Sequence, residues 1–250
     1  MLLSAVVITR NEEKRIEQCL SSLSFCDEVI VVDSGSVDKT CEIARKLSAQ
    51  VVIREWEGYA AQKNFANSLA KGKWILSIDA DEEVSSNLKQ EILSVITNTQ
   101  NTAFLVPRRT IHSGQWIRHG GWYPNRLIRL FQKDKAQWVD EEIHEFIKVE
   151  GPVSQLRSDL IHYSFDSISD QVERNNRYSS LGAQALSRRG NRFSLIKLLC
   201  KPPLKFLETF VLKLGFLDGY RGFFISVMAA HSVFLKWAKL WELERAEEKK

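Results

Sequence analysis

Short β-branched runs alternate with amphipathic stretches of helical period through the first hundred residues, and nothing else in the chain limits its fold as strongly. Residues 2–8, 28–32, 51–53 and 74–78 read as strands, and residues 13–23, 39–47, 59–70 and 86–96 read as the helices that connect them. This order specifies right-handed βαβ units. The expected fold class is therefore α/β, with a Rossmann-like, mostly parallel central sheet covered on both faces. Ligands of such sheets bind beyond the carboxyl ends of the strands.

The pattern changes after residue 102. Residues 104–107, 126–130 and 160–163 read as strands, with a loop rich in Gly and Trp at 112–124, and from 169 onward the periodicity is helical. The expected division is a catalytic domain over 1–165 and a C-terminal helical extension over 166–250. With 250 residues, 44% of them hydrophobic, the chain can bury a full core. A net charge of only +4 gives no ground for a nucleic-acid partner. Cys19, Cys26, Cys41 and Cys200 form no CxxC pair and no zinc spacing, as expected of free thiols in a cytosolic protein. Met1 runs straight into an apolar strand and then polar Thr9-Arg10-Asn11-Glu12, which reads as a strand and not as a signal peptide; a cytoplasmic enzyme is expected.

Three polar clusters follow predicted strands, where a doubly wound sheet would bring them together: Thr9-Arg10-Asn11-Glu12, Asp33-Ser34-Gly35-Ser36-Val37-Asp38, and Asp79-Ala80-Asp81-Glu82. Each alone is ordinary cap or turn chemistry, since Asp38 can cap a helix and Ser34-Gly35 can make a turn. The third is the sharpest. Alternation along an extended chain puts Asp79 and Asp81 on one side, a geometry suited to oxygen ligation of Mg²⁺ or Mn²⁺. Two unpaired carboxylates so close would repel each other without a cation.

Thr9-x-Asn11-Glu12, the run Val31-Val32-Asp33-Ser34-Gly35-Ser36-x-Asp38-x-Thr40, and Asp79-x-Asp81-Glu82 together resemble the three nucleotide-sugar motifs of the family 2 glycosyltransferases with the GT-A fold. Later segments resemble one branch of that family, the small glycosyltransferases of lipopolysaccharide inner-core synthesis. These are Gly121-Trp122-Tyr123-Pro124, Arg126-Leu127-x-Arg129-Leu130-Phe131, His144-Glu145, His162-Tyr163, Asn176-Arg177-Tyr178 and Gly215-Phe216-Leu217-Asp218-Gly219. The resemblance implies transfer of a hexose, glucose in that branch, from a UDP-sugar to a lipid-linked oligosaccharide acceptor. It assigns Thr9, Asn11 and Glu12 to the nucleotide edge, Asp33 to the base, Asp79 to the ribose and Asp81 to the metal, Mn²⁺ or Mg²⁺. Lys63 and Asn64 match a polar pair near the donor, and a solvated helix face is the plainer reading of both.

Displacing a nucleoside diphosphate requires a Lewis acid at the leaving group, and an inverting transfer also requires a base for the acceptor hydroxyl. The acidic run 140–145 offers Asp140, Glu142 and Glu145, of which Glu145 matches the family's His-Glu pair. GT-A enzymes commonly complete the metal site from late in the fold, which makes His162 a candidate ligand beside Asp81. Arg126 and Arg129, with Arg108 and Arg109, are candidates for holding an anionic acceptor.

Between 188 and 213, seven Lys and Arg residues interleave with apolar and aromatic ones, and Glu208 alone opposes them. Such a stretch reads as a segment lying on an anionic membrane surface, here the cytoplasmic face of the inner membrane; a helical subdomain or a homodimer contact is the alternative. A span is not expected, because the longest charge-free apolar run, 222–235, is shorter than the ~17 residues that cross a bilayer. Two other functions fit the same strand end. One is a phosphohydrolase of haloacid dehalogenase type with Asp79 as nucleophile, and the other is a module that binds nucleotide-sugars without turnover.

Overall fold

A computed structural model of the chain describes residues 2–141 and 144–247, without side-chain placement at Glu141, His144, Glu145 and Glu247. In order, the elements are β1 (Leu3–Thr9), α1 (Ile16–Ser22), β2 (Glu28–Asp33), α2 (Thr40–Lys46), β3 (Gln50–Ile53), α3 (Tyr59–Leu69), β4 (Trp74–Asp79), β5 (Glu82–Val84) and α4 (Ser86–Val95). There follow β6 (Ala103–His112), β7 (Gln115–Trp116), β8 (Asn125–Gln132), β9 (Ala136–Glu141), β10 (His144–Val149), β11 (Val153–Gln155) and β12 (Leu160–Phe165). Three long helices complete the chain: α5 (Ile168–Arg188), α6 (Leu195–Leu207) and α7 (Gly219–Glu247).

The main sheet runs β3-β2-β1-β4-β8-β6-β12-β5, and its β3-β2-β1-β4 half is parallel as the alternating sequence requires. β1 is buried along nearly its whole length and β4 along all but its last residue, which is why both read as continuous apolar runs. One face of this half packs against Ile16, Leu20 and Leu88 from α1 and α4, the other against Ala60 and Ala66 from α3. β8 pairs antiparallel with both β4 and β6, and the short β11 pairs parallel with β6. The acidic run falls in part on β9 and β10, a separate two-stranded sheet in which Glu145 lies opposite Asp140.

The chain divides into two compact units, and the division differs from the expected boundary. One unit takes the chain through Arg108 and then Asn125–Tyr163; the other takes Arg109–Pro124 and everything from Ser164. Residues 109–124 belong with the helical part because they are bound to it: the Asp218 carboxylate accepts from the Arg118 and His119 amides, and Gly120 N–H donates to Lys213 O at 2.8 Å. In this second unit Ala183 and Leu186 of α5, Leu198 of α6, and Trp237 and Leu240 of α7 form one apolar cluster. Gly215–Ala246 is long and apolar enough to cross a membrane by length and composition, which the sequence reading did not expect. The difference arises because that length is reached by admitting isolated charges that the count of 222–235 excluded. A core helix of a soluble protein meets the same criterion when mostly buried; here 22% of the apolar window is buried, with Ile225, Trp237 and Leu240 inside.

Close approach between β4's leading turn and β1 fixes the sheet's central register. Gly72 N–H donates to Ser4 Oγ at 2.7 Å, and Ser4 Oγ donates in turn to Glu28 Oε1 at 2.5 Å, tying β4, β1 and β2 at one end. A methyl group on Gly72 would sit 2.5 Å from Ser4 Oγ and 2.7 Å from Ser4 N, and the strand backbone cannot yield. Gly72→Ala is therefore expected to destabilise the protein by about 1–3 kcal/mol, measured as a lowered urea midpoint at unchanged slope. An unchanged midpoint would mean the β1–β4 contact is looser than described.

Candidate active site

The register of three parallel strands assembles the site. Thr9 pairs with Asp33 across β1–β2, and Ile8 pairs with Asp79 across β1–β4, so the three polar clusters leave the sheet side by side at the carboxyl edge.

The first two clusters are sewn together by their own side chains. Asp33 is fully buried; its Oδ1 accepts from the Gly35 and Ser36 amides at 3.0 and 2.8 Å, and its Oδ2 accepts from the Ser36 hydroxyl. Gly35 takes the left-handed conformation this turn needs, with φ +81°. Asn11, also left-handed at φ 54°, donates its amide to Ser36 Oγ and accepts from Val37 N–H with Oδ1 at 2.9 Å. The Glu12 amide donates to Thr40 Oγ1 at 2.8 Å. Thr9 is buried and its hydroxyl has no hydrogen-bond partner among the described residues, an open polar position at the edge where a ligand would arrive.

The third cluster carries the charge. Asp79 Oδ1 lies 3.2 Å from Lys63 Nζ, and Oδ2 accepts from Arg129 Nη2. That same guanidinium nitrogen donates to Glu82 Oε1 at 2.6 Å, which Arg108 also reaches at 3.2 Å. Glu82 Oε2 accepts from the Asp79 amide at 3.1 Å and closes the turn. Lys63, Arg129 and Glu82 are buried, and Asp79 keeps 30% of its side-chain surface exposed. Withdrawal from water acts to raise the Asp79 carboxyl, but the Arg129 and Lys63 charges outweigh it and hold the group well below the usual carboxylate range. For Arg129 burial acts to lower the pKa, and Asp79 and Glu82 reverse it, so the guanidinium stays charged.

These pairings correct two expectations. Asp79 is not an unpaired carboxylate awaiting a metal, because two protein cations already neutralise it. Arg129 does not reach for an acceptor; it holds the Asp79 turn, while Arg126 on the same strand is exposed. Its aim comes from a β-bulge: Phe104 pairs with Leu130 and Leu105 with Ile128, which leaves Arg129 as the extra residue of β8. Arg109 lies in the other unit, its guanidinium 5.2 Å from the Trp116 ring centroid.

Asp81 is the remaining carboxylate of this cluster. Its Oδ2 lies 3.3 Å from His162 Nε2, and Tyr163 N–H donates to Asp81 O at 2.9 Å, so β12 brings the histidine to the loop. Two ligands at ~2.1 Å on adjacent corners of an octahedron stand about 3 Å apart, which this pair fits. No third His, Cys, Asp or Glu joins them among the described residues, so a bound ion would take its remaining ligands from donor oxygens and water. His162 Nδ1 is buried without a hydrogen-bond partner among the described residues.

Lys63 and Asn64 lie on α3 beneath the β9–β10 hairpin. Lys63 Nζ sits 4.4 Å from the Trp138 ring centroid, and Asn64 bonds both backbone groups of Trp138, accepting at 2.9 Å and donating at 2.8 Å. Sequence reasoning did not single out Trp138 or Glu82's role in the network. Asp140 Oδ1 accepts from Ala60 N–H at 3.3 Å in the first turn of α3, which Gly58 cannot cap with a side chain. Of the remaining base candidates, Glu142 lies outside the described residues and Glu145 is described by its backbone only.

The sequence profile of the family described as Glycosyl transferase family 2 matches residues 4–155. An uncharacterized glycosyltransferase of Rickettsia typhi (strain ATCC VR-144 / Wilmington) is 34% identical over 254 residues, which cover 96% of this chain and 87% of the relative. The lipopolysaccharide core biosynthesis glycosyltransferase LpsC of Rhizobium meliloti (strain 1021) is 31% identical over 248 residues, 96% of this chain and 92% of its own. Among solved structures, S. aureus TarS 1-349 in complex with UDP-GlcNAc superposes with a TM-score of 0.51 at 15% identity, covering 99% of this chain and 92% of that one. Glucosyl-3-phosphoglycerate synthase from Mycobacterium tuberculosis, in complex with Mn²⁺, UDP and phosphoglyceric acid, gives 0.50 at 19% identity over 77% of this chain and 80% of that one. At such identities the structures establish the GT-A fold. The phosphohydrolase alternative falls with the family match, and it also required a free nucleophile where both Asp79 oxygens are engaged.

Removing one partner of a buried charge network leaves the others uncompensated, at a typical cost of ~3 kcal/mol or more. Arg129→Met should lower the unfolding free energy by about 3 kcal/mol at neutral pH. The folded Asp79 has a pKa below its unfolded value, so its ion pairs stabilise the protein above about pH 4 and are lost as pH falls further. Urea titrations at pH 7 and pH 3 should show the parent losing stability between them and the variant losing less; parallel losses would remove Asp79 from the account.

Proposed function

Because the chain belongs to glycosyl transferase family 2, we propose that this glycosyltransferase moves a hexose, glucose foremost, from a UDP-sugar to a heptose of the lipopolysaccharide inner core, inverting the anomeric centre. The observation that carries the reading is the division of labour at one strand end: Asp79 is fixed by two protein cations while its neighbour Asp81 faces His162. The UDP-GlcNAc in the TarS complex and the UDP in the mycobacterial synthase support a UDP donor, and the synthase's Mn²⁺ supports a divalent metal. LpsC's place in lipopolysaccharide core biosynthesis supports the lipopolysaccharide core as acceptor.

In this reading Thr9 offers its unpartnered hydroxyl, with Asn11 and Glu12, to the nucleotide edge, and Asp33 holds the turn against which the base lies. Asp79, oriented by Arg129 and Lys63, retains lone pairs for a ribose hydroxyl. Asp81 and His162 would hold Mn²⁺ or Mg²⁺, which when bound supplies Lewis-acid neutralisation of the diphosphate leaving group. Lys63 adds positive charge on the donor side, and Asn64 acts there by bracing β9 at Trp138. Glu145 takes the proton of the attacking hydroxyl; the use of Asp140 at the start of α3 favours it over that residue. The enzyme works in the cytoplasm, peripheral to the inner membrane's cytoplasmic face.

Turnover of UDP-glucose or another UDP-hexose should require Mn²⁺ or Mg²⁺ and vanish in excess chelator. Asp81→Asn should abolish metal-dependent UDP binding. Glu145→Gln should leave donor binding nearly intact and slow transfer by ~10² or more, because a base acts on the acceptor alone. Full activity in chelator overturns the metal, and a near-parental rate for Glu145→Gln moves the base elsewhere in the hairpin.

A further inference from the structure

Helix α6 carries its apolar side chains outward. Ile196, Leu199, Pro203, Leu207 and Val211 recur at three- and four-residue spacing down one face, and all of them are exposed, Ile196 at 75% and Leu199 at 61%. The opposite face is the packed one, where Leu198 joins the cluster around Trp237, and Thr209 is buried. Soluble helices ordinarily show the reverse, with the apolar stripe inside. Beyond the helix the exposed apolar surface continues through Leu212, at 77%.

The border of this stripe is basic. Lys197, Lys201 and Lys205 stand four residues apart in a row that runs from the edge of this stripe toward the packed side, where the Nζ atoms of the first two lie 5.1 and 4.8 Å from the Trp237 ring centroid and Lys205 Nζ pairs with Glu208 at 3.0 Å. Glu208 is the only acid between 188 and 213, and Lys205 and Lys213 already hold it. Those lysines keep its carboxyl down at about 2, so it stays an anion already matched by cations.

We propose that the outward face of α6 and of the helical turn after it, from Ile196 to Val211, is a docking surface for an anionic lipid bilayer, with the leucines and Ile196 in the acyl boundary and the neighbouring lysine row toward the headgroups. An apolar stripe bordered by cations is complementary to a surface that is apolar below and anionic above. A second copy is the poorer occupant. A symmetric pair brings the same patch to itself, and this patch has no unmatched acid to meet the lysines. The proposal is independent of donor and acceptor identity, because partition onto vesicles is read without turnover.

The test is sedimentation of the full-length chain with vesicles of phosphatidylcholine and phosphatidylglycerol at three to one, and with phosphatidylcholine alone. The parent should pellet with the anionic vesicles, bind the neutral ones far more weakly, and be released by high salt as the surface charge is screened. Lys197→Glu, Lys201→Glu and Lys205→Glu combined should weaken partition by roughly a hundredfold, taking about fivefold for each lysine near the surface. Ile196→Asn with Leu199→Asn should also weaken it, by about tenfold, through the apolar face alone. Lys197, Lys201, Ile196 and Leu199 are exposed and Lys205 is half-buried against Glu208, so circular dichroism with gel filtration checks that both variants remain folded. Equal binding to neutral vesicles, undiminished binding by either variant, or release by detergent but not by salt would each overturn the proposal, the last in favour of a span through α7. A dimeric parent that the asparagine variant converts to monomer, with no vesicle binding by either, would overturn it in favour of a contact between copies.

Discussion

At the end of β4, one guanidinium nitrogen donates to two carboxylates that would otherwise repel each other. Arg129 Nη2 reaches both Asp79 and Glu82, and Lys63 and Arg108 complete the neutralisation from either side. Such a network adds little net stability, because desolvating the charges costs about as much as pairing them returns. Its consequence is positional. Glu82 bonds the Asp79 amide, so the four residues from Asp79 to Glu82 are held as a closed turn, and Asp81 is held facing His162. The turn links α3, β4, β6 and β8, so the site depends on packing across the whole sheet and not on the loop alone.

The same logic governs the first two clusters. Asn11 and Asp33 were candidate ligand residues by the resemblance, and they and the motif residues Ser36 and Thr40 engage most of their polar atoms with the backbone of their own or the facing loop. These bonds hold two loops that would otherwise sample many conformations, so the entropy of ordering them is met in folding and not at the moment of binding. A motif of this kind is read by a ligand through the shape it holds as much as through its free hydrogen-bonding groups. Thr9 keeps an unpartnered polar atom, as a residue at the ligand's own edge would.

Much of this was legible in the sequence. Four strands with apolar runs between helical stretches specified the parallel half-sheet, and the polar clusters at their ends converge because parallel register leaves no other arrangement. The antiparallel half was less legible, because its strands follow one another through hairpins whose partners depend on distant residues. Arg129 shows why most clearly. Alternation assigns a strand residue to a face only while the ladder is regular, and Arg129 is the extra residue of a bulge. Its partners could not be found by counting from Arg126. The ion pairs of Asp79 were hidden for a related reason: Lys63 and Arg129 are distant in sequence and meet the carboxylate only after α3 and β8 are packed. Chain spacing gave the carboxylates, but not the cations that answer them.

In the helical unit, period and direction separate. The spacing of Ile196, Leu199 and Leu207 shows that they share a face, yet Leu198 and Phe206 give the helix apolar residues on other faces too. A helix with apolar residues on more than one side has two candidate inward faces, and only its neighbours decide between them. Here Trp237 decides. It is buried against α5 and α6, and it takes the Leu198 side of α6 with the ammonium groups of Lys197 and Lys201 over its ring. The ammonium groups of Lys197 and Lys201 lie over that indole, so the lysine row runs along the edge of the packed side. The leucines on the remaining side have no partner within the described chain, so the packing that makes the unit compact is also what turns its most apolar stripe outward.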